Sequence, residues 1–168
     1  MARTILITGG ARSGKSRIAE TETLRFSTHA TYIATAEVHD DEMRARIAEH
    51  QSRRGDGWTT HAAPLDLVGA LTATDGAGPR LVDCLTLWLS NLMLGGHDWR
   101  QAGQGLAAAL PHQRDPVVIV TNEVGAGIVP DNALAREFRD AAGLLNQWIA
   151  AAADDVYLVV AGQPLKVK

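Results

Sequence analysis

The chain has 168 residues, of which 46% are hydrophobic and 21% are charged, and its formal net charge is −3. These values are typical of one globular domain, expected to span residues 1–168, that can bury a sizeable core. The mildly acidic balance and the low aromatic content of 5% argue against a nucleic-acid partner. The single cysteine, Cys84, excludes an internal disulfide framework.

Two further features bear on location. The chain enters a predicted strand almost at once, so no signal peptide is expected. The longest apolar stretch, residues 85–94, is short and contains Thr86, Ser90 and Asn91, which predicts a core element rather than a membrane span. We therefore expect a cytoplasmic protein.

The first predicted elements surround a phosphate-binding motif. Residues 4–8 form a β-branched run typical of a buried strand, and residues 17–24 lack Pro and Gly and favour a helix. Between them the chain reads G-G-A-R-S-G-K-S, which fits the P-loop pattern G-x-x-x-x-G-K-[ST]. Its eight positions, all expected to contact nucleotide phosphates, are Gly9, Gly10, Ala11, Arg12, Ser13, Gly14, Lys15 and Ser16. Lys15 is expected to reach the outer phosphates and the Ser16 hydroxyl to bind Mg²⁺.

A strand is predicted over residues 31–36, followed by a helix over residues 41–53 with Asp40 as its cap. On that helix His50 shares a face with Met43 and Ile47. An isolated histidine in such a place is usually a core or interface residue, but a neutral imidazole is also a good nucleophile toward phosphorus. The nearby arginines are typical of a solvated helix face, and they can also meet a polyphosphate.

Loops are predicted around Gly55 and over residues 72–79, and a buried strand over residues 80–84. A P-loop needs a second acidic group for its magnesium, and we expect it at the end of a neighbouring strand. Asp83 stands in that position, although an acid there can instead cap the next helix.

The sequence of residues 97–115 gives little indication of secondary structure, and the next strand is predicted over residues 116–121. Polar residues follow it at the carboxyl end, where α/β sheets bind ligands. Among them Glu123 can act as a base, orient Mg²⁺ through water, or only cap a turn.

The best helical pattern lies beyond Pro130, with Asp131 as the expected cap, and a last strand is predicted over residues 156–160. Strands that alternate with helices and lack strict hydrophobic alternation indicate a mostly parallel, doubly wound sheet. With the phosphate-binding motif, this pattern predicts a three-layer α/β fold of the P-loop NTPase (RecA-like) class with a mostly parallel central sheet.

Several segments together resemble one enzyme family over nearly the whole chain. They read I-T-G-G-A-R-S-G-K-S at the start, Y-I-A-T-A at 32–36, D-D-E-M-x-x-R-I-x-x-H at 40–50, T-N-E-V-G-x-G-I-V-P at 121–130 and L-A-R-x-F-R-D-x-A-G-x-x-N-Q at 134–147. The chain resembles the bifunctional adenosylcobinamide kinase/adenosylcobinamide-phosphate guanylyltransferases of cobalamin biosynthesis. The 40–50 and 121–130 segments are far more restrictive than a P-loop alone.

The resemblance implies two reactions: phosphorylation of adenosylcobinamide by ATP or GTP, and transfer of GMP from GTP to adenosylcobinamide phosphate. It also implies a guanylylated histidine at His50, a catalytic role for Lys15, magnesium held by Ser16 and Asp83, and a homotrimer. The resemblance also implies nucleotide contacts beyond the P-loop and Asp83. These are at Ala34, Thr35, Ala36, Gln51, Ser52, Arg53 and Arg54.

The chain departs from the family pattern in two places. A glutamate that contributes to nucleotide binding in W-x-T-x-E is replaced here by Ala62, in what we take to be a loop after Trp58, and His61 beside it has no assigned role. Asp83 stands where some relatives have Glu, a change that keeps the carboxylate.

Two alternatives remain open at this point. A simple P-loop kinase without guanylyl transfer does not need His50. A non-enzymatic GTP-binding module usually reads guanine through N-K-x-D, and residues 121–124 lack its Lys and Asp.

Overall fold

A computed structural model describes residues 2–37 and 55–168 of the chain. In these ranges the strands are Thr4–Gly9 (β1), Ala30–Ala34 (β2), Trp58–Ala62 (β3), Arg80–Asp83 (β4), Val117–Val120 (β5), Asp155–Val160 (β6) and Gln163–Lys166 (β7). The α-helices are Lys15–Leu24 (α1), Leu67–Thr74 (α2), Leu85–Leu94 (α3), Trp99–Ala109 (α4) and Ala133–Ala152 (α5), with a 3₁₀ turn at Leu110–His112.

The strands form one sheet in the order β3-β2-β4-β5-β1-β6-β7. All neighbouring pairs are parallel except β6 and β7, which form an antiparallel hairpin at one edge. Helix α1 packs on one face through Ala19, and the other face is covered by α2 to α5 through residues such as Leu71 and Leu145. The expected three-layer, mostly parallel α/β architecture is confirmed.

Burial on both faces explains why the central strands lack a polar side. Every residue of β5 is fully buried. In β1, Leu6 belongs to the core cluster under α2 to α5, whereas Ile5 and Ile7 belong to the cluster under α1. Near-continuous apolar runs are the pattern that two covered faces require.

The strand predictions were right in place, with ends that differ by one or two residues: β2, β4 and β5 were predicted to end too late, whereas β1 and β6 are each one residue longer than predicted. Strand β2 ends at Ala34 because the Thr35 hydroxyl turns to bond both the N–H and the C=O of Cys84. Strand β4 ends at Asp83, and Cys84 becomes the residue before α3. Helix α5 is capped by Asn132, whose side chain accepts from Ala135 N–H, and not by Asp131 as expected.

Four elements were missed. Residues 58–62, expected as a loop, form edge strand β3. Because Thr59 and Thr60 are polar and exposed, the segment has no hydrophobic run that would predict a strand. Helix α2 extends through Thr74 into the predicted 72–79 loop. Helix α4 contains Gly103, where a Cβ would lie 2.9 Å from Leu145 Cδ1, so a helix-weakening residue permits close packing on α5. Strand β7 is exposed along its whole length.

The predicted helix over residues 41–53 lies outside the described residues. Within the part that is described, none of the helices combines the length and the apolar character needed to cross a membrane.

The amino ends of the central strands are held by a buried arginine. Arg80 has no exposed surface, and its guanidinium donates to Asp75 Oδ1 at 2.6 Å, Gln113 Oε1 at 2.9 Å and the Asp115 carbonyl at 3.1 Å. Asp75 also accepts hydrogen bonds from Arg114. The network ties two loops together at the end of the sheet opposite the P-loop.

Candidate active site

The P-loop connects the end of β1 directly to the first turn of α1. Strand β1 ends at Gly9 and the helix begins at Lys15. Gly14 precedes the helix with φ 92° and supplies no side chain to cap it, and Arg12 also has positive φ, at 54°. The backbone N–H groups of Gly14, Lys15 and Ser16 therefore have no protein acceptor within the described residues. Free N–H groups at a helix N-terminus are the donors that phosphate oxygens bind.

Lys15 folds back across this loop. The residue is 9% exposed, and Nζ donates to the carbonyl of Gly10 at 3.0 Å. Burial lowers the pKa of Lys15, while the negative charge that Asp83 bears opposes that shift. A lysine with one neutral acceptor and a partly buried ammonium is well suited to receive an anionic ligand.

Strand β6 packs closely against the start of the P-loop. A Cβ on Gly9 would lie 2.6 Å from the Val159 carbonyl of β6, closer than real Cβ atoms approach. Glycine at the start of the motif is thus required by the packing of β6 as well as by the phosphate turn. Two buried hydroxyls here, on Thr8 and Ser13, have no hydrogen-bond partner among the described residues.

Asp83 lies at the carboxyl edge of the sheet but not on the strand beside β1. Strand β5 separates the two, with Val120 opposite both Ile7 and Asp83, so the expectation of a neighbouring strand was wrong. Asp83 Oδ2 accepts a hydrogen bond from the Tyr32 hydroxyl at 2.9 Å. The carboxylate is thus oriented by β2, and it is close enough to Lys15 to affect its pKa.

Ala34 is the last residue of β2, and Thr35 and Ala36 follow it at the same edge of the sheet. Thr35 is fully buried, and its hydroxyl is fully used by Cys84, so this side chain joins β2 to β4. The flanking alanines are half-buried and leave backbone and methyl surface at the edge. Their nucleotide contacts remain a prediction.

The segment after β5 closes the site on the side of β1. Asn122 N–H donates to Thr86 Oγ1 at 2.9 Å, and Glu123 N–H donates to the Gly9 carbonyl at 3.0 Å. Glu123 Oε1 accepts from Gly125 N–H at 2.6 Å, which is the turn-capping alternative considered for this residue. The segment is therefore tied both to α3 and to the end of β1.

Three side chains that the sequence did not single out hold this region. Asn146 of α5 accepts from the Thr121 hydroxyl at 2.8 Å and donates to the Asn122 carbonyl at 3.1 Å. Arg139 of α5 donates to the Gly125 carbonyl. Tyr32 orients Asp83. All three residues lie in the family motifs quoted above, and this is the sequence feature from which they could have been identified.

The remaining predicted site residues are not part of the described ranges. His50, Gln51, Ser52, Arg53 and Arg54 all fall within residues 38–54. Ala62, which replaces the family glutamate, ends β3 at the far edge of the sheet. His61 lines a cavity of about 250 Å³ together with His29, Thr31 and Thr74.

Comparison with known proteins identifies the family. A family model described as cobinamide kinase / cobinamide phosphate guanyltransferase matches residues 5–167. The chain belongs to this family.

Relatives in this cobinamide kinase / guanyltransferase family match along their whole length. The bifunctional adenosylcobalamin biosynthesis protein CobU of Salmonella typhimurium is 47% identical, with 98% of this chain and 99% of the relative covered. CobP of Pseudomonas aeruginosa is 45% identical over 97% of this chain and 96% of its own length. CobU of Escherichia coli is 43% identical, with 98% and 99% covered. The family resemblance inferred from the motifs is confirmed.

Proposed function

We propose that this chain is a bifunctional enzyme of cobalamin biosynthesis. It phosphorylates the aminopropanol hydroxyl of adenosylcobinamide with ATP or GTP, and then transfers GMP from GTP to that phosphate. The products are adenosyl-GDP-cobinamide and pyrophosphate. The proposal is carried by a P-loop with free N–H groups and a partly buried Lys15, in a chain that matches the family over residues 5–167.

In the kinase step the P-loop binds the outer phosphates. Unpaired N–H groups at the start of α1 meet phosphate oxygens, and Lys15 exchanges its contact with the Gly10 carbonyl for the transferring phosphoryl group. Because these donors are in place before the substrate arrives, little reorganisation is needed as charge develops. The substrate hydroxyl oxygen forms a bond to the γ-phosphorus, the P–O bond to the nucleoside diphosphate breaks, and the hydroxyl proton is released to solvent.

The available donors suit Mg²⁺. Magnesium prefers oxygen ligands and is usually bound by one or two carboxylates together with substrate phosphates. Ser16 offers a hydroxyl in the first turn of α1, and Asp83 offers a carboxylate whose Oδ2 is already oriented by Tyr32. When bound, the ion neutralises charge on the phosphates. Ser16 and Asp83 are the residues that we propose hold it.

In the guanylyl step we assign the nucleophile to His50 by its motif. An imidazole nitrogen attacks the α-phosphorus of GTP, an N–P bond forms, and the P–O bond to pyrophosphate breaks. An oxygen of adenosylcobinamide phosphate then attacks the same phosphorus and releases the imidazole. The nucleotide contacts proposed for this step are residues 34–36 and 51–54.

Labelling with [α-³²P]GTP and Mg²⁺ tests the covalent step. Wild-type protein should retain an acid-labile label after denaturation, and His50→Ala should retain none. His112→Ala is the matched control, since this histidine is exposed on the 3₁₀ turn at the end of the sheet opposite the P-loop, and it should be labelled normally. No label on wild type, or equal label on His50→Ala, would reduce the proposal to the simple kinase.

A second assay separates the two reactions. Adenosylcobinamide phosphate should discharge the label into product, and adenosylcobinamide with [γ-³²P]ATP or GTP should become phosphorylated. Nucleotide binding without turnover of either substrate would instead indicate a GTP-binding module. We also propose a cytoplasmic homotrimer, which light scattering would report as three times the 17.9 kDa of one chain.

A further inference from the structure

The turn between β6 and β7 lies against the P-loop. The antiparallel pair closes with Val160 opposite Gln163, and the two residues between them are Ala161 and Gly162. Both have positive φ, 49° and 77° respectively. This is the backbone of a tight two-residue hairpin turn, in which glycine is favoured because it has no Cβ.

The contact between this turn and the P-loop is direct. Gly162 N–H donates to the Ser13 carbonyl at 2.8 Å. A Cβ on Gly14 would lie 3.2 Å from Gly162 Cα, so the two glycines pack backbone against backbone. The hydrogen bond spans almost the whole length of the chain and belongs to no strand or helix.

The hydrogen bond determines the direction of the next amide. The Ser13–Gly14 peptide is trans, so its C=O and its N–H point in opposite directions. With the Ser13 carbonyl held toward the hairpin, Gly14 N–H points away from it. That N–H has no protein acceptor in the described part of the chain.

We propose that Gly162 is a positioning residue for nucleotide binding, because its N–H holds the Ser13–Gly14 peptide so that Gly14 N–H faces the bound phosphates. The β6–β7 hairpin is then a support of the P-loop, and not only the end of the sheet. The inference rests on the proposed function to the extent that the P-loop must bind nucleotide.

The chain offers a substitution that tests the turn without a steric clash. A Cβ at Gly162 would have Arg17 Nη2 as its nearest neighbour at 3.8 Å, an ordinary contact. The Cβ itself is therefore accommodated, and the positive φ is the feature of this position that a β-branched residue resists. Gly162→Asn is the conservative variant, because asparagine tolerates this conformation.

Gly96→Val is the matched control for loss of stability. Gly96 has φ 69° and nothing within 4 Å of its Cβ position, and it follows Gly95, the C-cap of helix α3. Gly96→Val therefore introduces a similar backbone penalty without contacting the Ser13–Gly14 peptide. Thermal melts establish that both valine variants are folded and similarly destabilised.

Calorimetry with Mg²⁺–GTP measures the effect. Gly162→Val should bind GTP about tenfold more weakly than wild type, the cost of one misdirected hydrogen bond to a charged group. Gly162→Asn and Gly96→Val should remain within about twofold of wild type, well below that difference. In ¹⁵N-labelled protein, the Gly14 amide proton should shift on addition of GTP in wild type and in Gly96→Val, and should shift much less in Gly162→Val.

The outcomes separate this inference from the proposed function. If wild-type protein does not bind GTP, the proposed function fails. If wild type binds and Gly162→Val binds equally well, or if Gly96→Val weakens binding as much, the positioning role of Gly162 is overturned. An unchanged Gly14 amide response in Gly162→Val overturns it too.

Discussion

The Tyr32 hydroxyl and Asp83 Oδ2 are joined by a 2.9 Å hydrogen bond between β2 and β4. Tyr32 is 7% exposed and its ring packs edge-on against Trp58 at 6.2 Å, so the hydroxyl has a fixed position. The bond occupies one carboxylate oxygen of Asp83 and leaves Oδ1 without a protein donor among the described residues. The oriented carboxylate therefore keeps one oxygen for another ligand, and it is close enough to Lys15 to affect the pKa of that lysine.

Removing this hydroxyl should weaken the proposed magnesium site without abolishing it. Tyr32→Phe is expected to raise the Mg²⁺ concentration needed for half-maximal kinase activity by about tenfold, because the carboxylate loses its orienting partner. Asp83→Asn should have a larger effect. Tyr157→Phe removes a hydroxyl from β6 and serves as the control. Equal Mg²⁺ dependence in Tyr32→Phe and wild type would show that this hydrogen bond does not support the metal.

Loss of the Lys15 ammonium should separate activity from stability. Lys15→Met is expected to lower the kinase rate by about a hundredfold or more, because the transferring phosphoryl group loses a positioned positive charge. Its melting temperature should not fall, since burial lowers the pKa of Lys15 more than the nearby negative charge raises it, and its hydrogen bond to the Gly10 carbonyl is to a neutral group. Lys166→Met, on the exposed strand β7, should leave nucleotide binding unchanged. A large fall in melting temperature of Lys15→Met would contradict this account.

Asp155 should contribute stability that acid removes. Hydrogen bonds from Arg3 and Lys166 hold the pKa of this buried carboxyl at about 2, below its ordinary value of 3.8. Because the folded pKa is depressed, the contribution is complete above about pH 5 and is lost as the pH falls through 3.8 toward 2. The loss of unfolding free energy between pH 6 and pH 2.5 should be smaller in Asp155→Asn by about 1–2 kcal/mol.

Urea unfolding at the two pH values measures this difference. Glu137→Gln, on the exposed face of α5, controls for the removal of a carboxylate as such. An acid sensitivity in Asp155→Asn as steep as that of wild type would show that the Arg3–Asp155–Lys166 cluster does not act in this way.

The buried arginine should matter far more than its exposed neighbour. Arg80→Met should lower the free energy of unfolding by about 3 kcal/mol, because Gln113 and the Asp115 carbonyl lose a buried donor. Arg114 also binds Asp75, but its side chain is 74% exposed, so Arg114→Met should cost less than about 1 kcal/mol.

Acid should weaken the same network. Burial by itself raises the pKa of Asp75, but hydrogen bonds from Arg80 and Arg114 hold it well below its usual range.

Equal effects of Arg80→Met and Arg114→Met in denaturant unfolding at neutral pH would show that burial does not strengthen the Arg80 interactions.

The elements that the sequence predicted well are those whose pattern reflects a fully covered position. Strands β1 and β5 are mostly apolar because both faces are buried, as are Leu81 and Val82 in β4, and α5 has a clear apolar stripe. The missed elements carry conflicting local signals. Strand β3 is polar because it lies at an edge, and Gly103 weakens α4 so that the helix can approach α5. In both cases packing overrides local propensity.

The sequence by itself determined the P-loop, the helix that follows it and the family, because phosphate binding needs contiguous residues and the other family motifs are local runs. Only the tertiary structure decided that β5 separates β1 from β4, that Tyr32 meets Asp83 across 51 positions, and that Gly162 supports Ser13. Strand order and backbone contacts of this kind depend on how distant segments pack, and hydrophobic periodicity along one segment does not encode them.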